Sequence, residues 1–223
     1  MPDIKPAATA ASNLRTLAVD IGGTGLKALV LAADGRALTD RVRVETPRPA
    51  TPRALLPAIV KLVAPLGAFD RVSVGFPGVV VDGVTWTAPN LHRLWRGFDL
   101  ASAVADQLGR PVRVLNDAGI QGYGVIAGHG VEMVLTFGTG LGCAVYLDGN
   151  YVPNLELAHL PFGNGDTYEE YVGAKALRSQ SVAEGITPNQ RDQAWYDMTR
   201  AMMVSLDQEL ERRIRENFTF YVQ

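Results

Sequence analysis

The chain of 223 residues is 47% hydrophobic and 20% charged, a composition typical of a globular protein of one large domain or two lobes of about 100 residues each. Its formal charge of −2 gives no reason to expect a nucleic acid or an anionic membrane as a bulk partner. No window approaches the roughly 20 apolar residues that cross a bilayer, so we expect a soluble protein.

The single cysteine, Cys143, leaves no intramolecular disulfide and no cysteine-based zinc cluster, which fits a reducing cytoplasm. We expect its thiol to be buried and inert. Residues 1–13 are rich in Ala and Pro and lack the apolar core of a signal peptide, so they predict a loose tail and a cytoplasmic protein.

The elements of the first half predict an α/β lobe. Three strands form an antiparallel meander, and Thr51-Pro52 begins a helix that Pro57 is expected to kink. A later strand delivers Asn116-Asp117 at its carboxyl end, where open α/β sheets bind ligands. The predicted strands are 14–19, 26–31, 41–45, 71–76 and 112–115, with further helices at 99–108 and 121–127.

The second half predicts another lobe, so the expected division is 14–117 and 118–223. A strand at 133–137 opens its sheet, and Asp166-Thr-Tyr-Glu169 has the spacing of a capping box for a helix to about Leu177. A long helix near 188–217 and a last strand at 218–222 complete the prediction. The apolar face of the long helix could serve a homodimer as well as a core.

Two glycine-rich turns carry the main chemical signal. Gly22, Gly23 and Thr24 follow the first strand, and Gly138, Thr139 and Gly140 follow a later one; both turns lead into an apolar strand closed by Asp-Gly. Backbone N–H groups in such turns bind phosphate oxygens, and Lys27 could add a point charge. The alternative is two tight hairpins, which the duplication disfavours because hairpins need no matched Gly-Thr-Gly.

Two aspartates lie where phosphoryl transfer would need them. Asp20, beside the first glycine turn, is expected to order the water shell of Mg²⁺ rather than to lie in a structural ion pair. Asp117 is the candidate general base, with a helix N-cap as the alternative. Asn116 could bind a ligand or stabilise its own turn.

Other polar residues could bind a polyhydroxyl ligand. Glu156 and His159 would face the same side of a helical turn, with a solvated surface pair as the alternative to sugar or metal binding. Asn90 is either a sugar contact or a turn residue. Glu169 is explained by the predicted capping box.

Together these motifs resemble a sugar kinase of the ROK family, closest to its polyphosphate glucokinase branch. They are Asp20-Ile-Gly-Gly-Thr-Gly-Leu-Lys27, Gly75-Phe-Pro-Gly-Val79, Ala88-Pro-Asn90, Asn116-Asp117, Thr136-Phe-Gly-Thr-Gly-Leu-Gly142 and Glu156-Leu-Ala-His159.

The resemblance implies an actin-like ATPase (ribonuclease H-like) fold of two lobes with a sugar in the cleft. It implies that Asp117 is the catalytic base and that the two glycine turns bind phosphate. Sugar-binding positions would be Asn90, Asn116, Glu156 and His159, with Glu169 near a further one.

The chain departs from the family pattern at three points. It lacks the zinc-binding cysteine cluster of many members, and Ala158 replaces a usual glycine. The late Gly-Gly-Gly turn that helps to hold a nucleotide is not found before Gln223, and residues from Ser179 onward are less recognisable.

The resemblance thus implies a glucokinase that uses polyphosphate, ATP or both, with Mg²⁺. The missing turn favours a donor without a base. The alternative is a sugar-binding sensor without activity. Arg93, Arg96 and Lys27 are the candidate basic residues for polyphosphate.

Overall fold

A computed structural model describes residues 13–137, 141–162 and 165–172. The chain forms two compact units, the first ending at His129 and the second beginning at Gly130. This boundary lies beyond the division expected after Asp117. No helix among the described residues is long and apolar enough to span a membrane.

The first unit is built on a five-stranded sheet in the order β3-β2-β1-β4-β8. Strands β1 to β3 form the predicted antiparallel meander, whereas β4 and β8 run parallel to β1. A second, small sheet pairs β5, β6 and β7. The strands are β1 Thr16–Ile21, β2 Gly25–Leu31, β3 Val42–Glu45, β4 Arg71–Phe76, β5 Val80–Val81, β6 Val84–Thr85, β7 Phe98–Asp99 and β8 Val112–Asn116.

Three helices accompany these strands: α1 Pro52–Val63, α2 Leu100–Leu108 and α3 Asp117–Gly122. The predicted start of α1 is confirmed, since the side chain of Thr51 accepts from the N–H of Ala54, and Gly109 ends α2 in a left-handed conformation. Helix α1 continues through Pro57. The helix expected at 121–127 is wrong, because Asn116 caps a shorter helix directly at the end of β8.

The main sheet has one apolar and one polar face. Leu17, Val19 and Ile21 alternate along β1 toward the apolar face and are fully buried in a core that includes residues of α1. The residues between them, ending with Asp20, are only half-buried. Because successive strand residues point to opposite faces, Asp20 lies on the polar face.

The second unit contains the antiparallel sheet β11-β10-β9. Asp148 and Gly149 both have positive φ in the predicted tight turn between β10 and β11. Its described elements are β9 Val131–Phe137, β10 Leu141–Leu147, β11 Asn150–Val152, a 3₁₀ helix Leu157–His159, β12 Pro161–Phe162, β13 Asp166–Thr167 and α4 Tyr168–Val172.

The capping box of α4 lies one residue later than predicted. Thr167 Oγ1 accepts from the N–H of Glu170, whose carboxylate accepts from the N–H of Thr167 at 2.9 Å. The box predicted for Asp166 and Glu169 is therefore wrong, and Glu169 is not needed as a cap. The predicted long helix at 188–217 and the last strand at 218–222 lie outside the described residues.

Trp95 is the largest fully buried side chain of the first unit. It belongs to a 3₁₀ helix, Arg93–Trp95, and its ring contacts Phe76 and Phe98 at centroid distances of 5.1 and 5.4 Å. The indole Nε1 donates a hydrogen bond of 2.8 Å to the carbonyl oxygen of Ala50. This ring therefore ties the loop before α1 to the end of β4.

We predict that Trp95→Phe lowers the free energy of unfolding by about 2 to 4 kcal/mol, because it leaves a cavity and an unpaired buried carbonyl. Urea unfolding followed by circular dichroism measures the change. Trp86→Phe is the matched control, since Trp86 is 48% exposed and its replacement should change stability by about 0.5 kcal/mol or less. Equal losses in the two variants would contradict this role of Trp95.

Cys143 on β10 is half-buried, and burial raises the pKa of its thiol from 9.0 to about 12, with a smaller contribution from the charge of Glu156. At pH 8 only about one thiol in ten thousand is then ionised, against about one in ten for a cysteine with the ordinary pKa of 9.0. Cys143 is thus less buried than predicted, whereas the raised pKa of its thiol agrees with the predicted low reactivity.

We expect iodoacetamide to alkylate Cys143 roughly a thousandfold more slowly at pH 8 than a free cysteine, as followed by mass spectrometry. Because the thiolate fraction rises tenfold per pH unit below the pKa, the rate should rise by about that factor from pH 8 to pH 9. The urea-unfolded chain should react at the ordinary rate. Fast alkylation of the folded protein would show that the thiol is activated.

Candidate active site

The carboxyl ends of β1, β4 and β8 meet at one edge of the main sheet. These strands are parallel neighbours, with Asp20 opposite Gly75 and Phe76 opposite Asn116 in the register. The topology therefore brings the ends of two motifs that are distant in sequence, Asp20 and Asn116-Asp117, to the same edge. Ligands of open α/β sheets bind at this kind of edge.

Asp117 lies directly over Gly75. A Cβ atom built on Gly75 would be 3.5 Å from the Cα of Asp117, so a large side chain there would displace the aspartate. Oδ1 of Asp117 accepts from the N–H of Ala118 at 2.8 Å. The N-cap of α3 is Asn116, so the alternative interpretation of Asp117 as the cap is wrong.

The Asn116 side chain has two structural partners. Its Oδ1 accepts from the N–H of Gly119 and its Nδ2 donates to the carbonyl oxygen of Gly78, both at 3.3 Å. These bonds hold the end of β8 against the loop after β4. A carboxamide has two N–H groups, so one further donor remains for a ligand.

The first glycine turn presents its backbone N–H groups away from the segment that follows β3. Thr46 Oγ1 donates to the carbonyl oxygen of Gly22, and Nη2 of Arg48 donates to that of Gly23 at 2.9 Å. In a trans peptide the N–H points opposite to the carbonyl, so the N–H groups of Gly23 and Thr24 point to the other side. None of the hydrogen bonds found among the described residues uses either N–H.

Close packing explains the two glycines of this turn. A Cβ on Gly22 would lie 2.8 Å from the carbonyl oxygen of Gly25, and one on Gly23 would lie 3.2 Å from the Cβ of Asn90. Neither glycine has a φ in the left-handed region. The turn therefore contacts the Asn90 segment directly, which brings this predicted sugar-binding residue next to the predicted phosphate loop.

The structure allows Asn90 both roles that the sequence left open, a turn residue and a sugar contact. It is the third residue of a turn closed by a 3.1 Å hydrogen bond from the N–H of Leu91 to the carbonyl oxygen of Ala88. The residue is nonetheless exposed. It can thus shape the turn and still offer its carboxamide to a ligand.

Asp20 and Lys27 form an ion pair, with Nζ 2.7 Å from Oδ2. The expectation that Asp20 stays out of such a pair is wrong; its role with a metal remains a prediction. Both side chains are more than one third exposed, and ion pairs of this exposure are worth about 1 kcal/mol or less. A phosphate for Lys27 and a metal for Asp20 could replace the pair at small cost.

The residues present are compatible with Mg²⁺. This ion usually keeps several waters and is held by one or two carboxylates together with phosphates of the substrate. One half-exposed carboxylate, that of Asp20, beside outward-facing N–H groups meets this requirement. A cluster of three or more acidic, histidine or cysteine ligands is not found among the described residues.

In the second unit, Glu156 and His159 face each other as predicted, with Nε2 3.5 Å from Oε2. Both are more than 40% exposed. Glu156 has φ 48°, a left-handed conformation that costs such a residue about 1 kcal/mol or more and often marks a functional site. Ala158, in place of the usual glycine, is buried in the 3₁₀ helix without such strain.

Glu169 shares its surroundings with this pair. Leu157 and Tyr168 are buried in one apolar cluster, and the N–H of Tyr168 donates to the carbonyl oxygen of Leu160 at 3.1 Å. The start of α4 therefore packs on the turn that carries Glu156 and His159. Gly138, Thr139 and Gly140, the second glycine turn, lie outside the described residues.

Sequence reasoning missed three residues around the first glycine turn, namely Arg43, Thr46 and Arg48. Thr46 and Arg48 orient its peptides, and the guanidinium of Arg43 lies beside Gly25. The predicted meander did place β3 next to β2. The register between β2 and β3 brings these side chains to the turn. The length of the segment that connects the two strands does not determine this register, so the sequence alone did not predict the contacts.

Comparison with known proteins identifies relatives whose names state a function. The chain is 35% identical over 176 residues to the polyphosphate glucokinase of Mycobacterium tuberculosis. The aligned region covers 75% of this chain and 66% of that protein. It therefore spans just under two thirds of the length of this relative.

Two solved structures are similar in fold. A polyphosphate/ATP-glucomannokinase from Arthrobacter sp. strain KM is 36% identical, with a TM-score of 0.68, over 76% of this chain and 72% of that one. A ROK family glucokinase from Streptomyces griseus in complex with glucose and AMPPNP is 28% identical, with a TM-score of 0.66, over 76% and 62%.

These neighbours confirm the predicted fold class, a mixed α/β fold of the actin-like ATPase type. The model of the ROK family matches residues 16–153, which is more than half of the chain. The chain therefore belongs to the ROK family.

Proposed function

We propose that this protein is a glucokinase that transfers a phosphoryl group from polyphosphate, ATP or both to the 6-hydroxyl of glucose. One observation carries the proposal: Asp117 lies over Gly75, at the sheet edge that also ends in Asp20 and the first glycine turn. A carboxylate for proton transfer and N–H groups for phosphate thus share one edge. The relatives named polyphosphate glucokinase support this choice of substrates.

In this proposal Asp117 accepts the proton of the attacking hydroxyl. Phosphoryl transfer requires mainly positioning and electrostatic stabilisation, together with one such base. Because Gly75 has no side chain, Asp117 can lie close to its backbone. The N–H of Ala118 donates a 2.8 Å hydrogen bond that fixes one oxygen of Asp117. Its side chain is therefore held in place by backbone groups.

The N–H groups of Gly23 and Thr24 would bind phosphate oxygens of the donor, with Lys27 as a counter-charge. The second glycine turn, Gly138 to Gly140, is proposed for the same role on its sequence alone. Mg²⁺, when held by Asp20 and phosphates, would neutralise part of the negative charge of the donor.

Five residues are proposed as sugar contacts. Asn90 and Asn116 belong to the first unit, and each retains a donor or acceptor for a hydroxyl. Glu156, His159 and Glu169 belong to the second unit, where the strained backbone of Glu156 supports a role beyond packing.

A second candidate is a sugar-binding protein without kinase activity. The ion pair between Asp20 and Lys27 favours it, because this pair occupies both groups that the kinase would use on metal and phosphate. The small strength of an exposed pair makes the kinase the better supported proposal.

We predict that Asp117→Asn lowers kcat for glucose phosphorylation at least about a hundredfold, because the amide cannot accept the proton. The KM for glucose should change little, since the side chain keeps its shape. Coupled detection of glucose 6-phosphate measures both constants. Asp106→Asn on the exposed face of α2 is the matched control and should retain the wild-type rate. A fully active Asp117→Asn variant would exclude Asp117 as the base.

The choice of donor is tested by supplying long-chain polyphosphate or ATP, each with Mg²⁺ and glucose. We expect turnover with at least one donor and none after chelation of Mg²⁺ with EDTA. If neither donor supports turnover while calorimetry still detects glucose binding, the sugar-binding candidate is correct instead.

A further inference from the structure

A row of charged residues crosses the polar face of the main sheet. The register pairs Arg43 with Lys27, Lys27 with Asp20, and Asp20 with Gly75. Residues that are directly opposite on neighbouring strands project from the same face. The row therefore runs from the edge strand β3 to the glycine beneath Asp117.

Arg43 differs from Lys27 in its surroundings. Its guanidinium lies beside the glycine turn, since a Cβ on Gly25 would be 2.8 Å from Nε and 3.3 Å from Nη2 of Arg43. The ion pairs found in the described part of the chain include Lys27 but not Arg43. Arg43 thus brings an unneutralised, exposed charge next to the proposed phosphate loop.

We propose that Arg43 binds phosphates of a polyphosphate donor beyond those held by the glycine turn. This inference rests on the proposed function and names a residue that selects the donor. A guanidinium presents a planar fork of N–H donors that matches phosphate oxygens. Arg43 therefore adds a basic group to Lys27, Arg93 and Arg96, the candidates that the sequence predicts for polyphosphate.

The sheet geometry explains why Arg43 would favour a long donor. Three strand spacings separate Arg43 from Gly75, which is about 14 Å at about 4.8 Å per spacing. A linear polyphosphate is charged at every unit over such a distance, whereas ATP continues as an uncharged nucleoside after three phosphates. Arg43 should consequently favour polyphosphate over ATP.

One acidic residue opposes this binding. Glu45 lies opposite Gly25 on the same face and is exposed. Removing its charge should strengthen the attraction of a polyanion, since like charges repel over the few ångströms involved. Removing the charge of Arg43 and removing that of Glu45 should therefore change the affinity for polyphosphate in opposite directions.

The test measures the Kd of fluorescently labelled long-chain polyphosphate by anisotropy at low salt, with Mg²⁺. We expect Arg43→Gln to weaken binding roughly tenfold, Arg43→Lys to weaken it less, and Glu45→Gln to strengthen it. Arg53→Gln is the control for net charge, because Arg53 is exposed on α1, which packs on the apolar face. Its Kd should change less than about twofold.

The proposal is overturned if Arg43→Gln and Arg53→Gln weaken binding equally, if only Arg96→Gln weakens it, or if the wild type does not bind polyphosphate. Circular dichroism establishes that each variant is folded. In activity assays Arg43→Gln should raise KM for polyphosphate more than KM for ATP. A wild type that binds polyphosphate but phosphorylates no sugar would contradict the proposed function and leave the binding role of Arg43 supported.

Discussion

The first glycine turn depends on hydrogen bonds that hold its carbonyl groups. Two side chains just after β3 form these bonds: Thr46 donates to the carbonyl oxygen of Gly22 and Arg48 to that of Gly23. Because the peptide is planar, fixing the carbonyl also fixes the direction of the next N–H. The edge strand β3 therefore does more than complete the sheet, since the segment after it sets the direction of the two donors proposed to bind phosphate.

The parallel pairing of β1, β4 and β8 adds the second constraint. It brings Asp20 and Asp117 to one edge, where their negative charges would repel a phosphate. The positive charges of Lys27 and Arg43 lie on the same polar face and offset this repulsion. The chemistry proposed for the edge thus requires a balance of charge that a single strand-turn motif does not supply.

Local signals predicted much of the fold. The strand Arg71–Phe76, the Thr51 cap and the Asp-Gly turns all depend on residues close in sequence, and the structure confirms them. The errors concern where helices begin: α3 begins at Asp117 after its cap Asn116 rather than at 121, and Glu170 rather than Glu169 completes the capping box.

The candidate site was predictable only where its residues lie within the recognised motifs. Asp20, Gly23, Asn90 and Asp117 were named as candidates from the sequence, and the structure adds their mutual positions in the first unit, while their roles remain proposals. Arg43 and Arg48 were missed because their contacts with the turn arise from the β2–β3 register, and no local motif encodes that pairing. The ion pair of Asp20 with Lys27 likewise follows from register rather than from spacing.

The central claim is that the N–H groups of Gly23 and Thr24 bind phosphate. It is tested most directly by titrating ¹⁵N-labelled protein with tripolyphosphate and Mg²⁺ and following the backbone amide resonances. The account predicts that the amide resonances of Gly23 and Thr24 shift among the most and saturate together. Unchanged Gly23 and Thr24 resonances at a concentration of tripolyphosphate that saturates shifts elsewhere would contradict it.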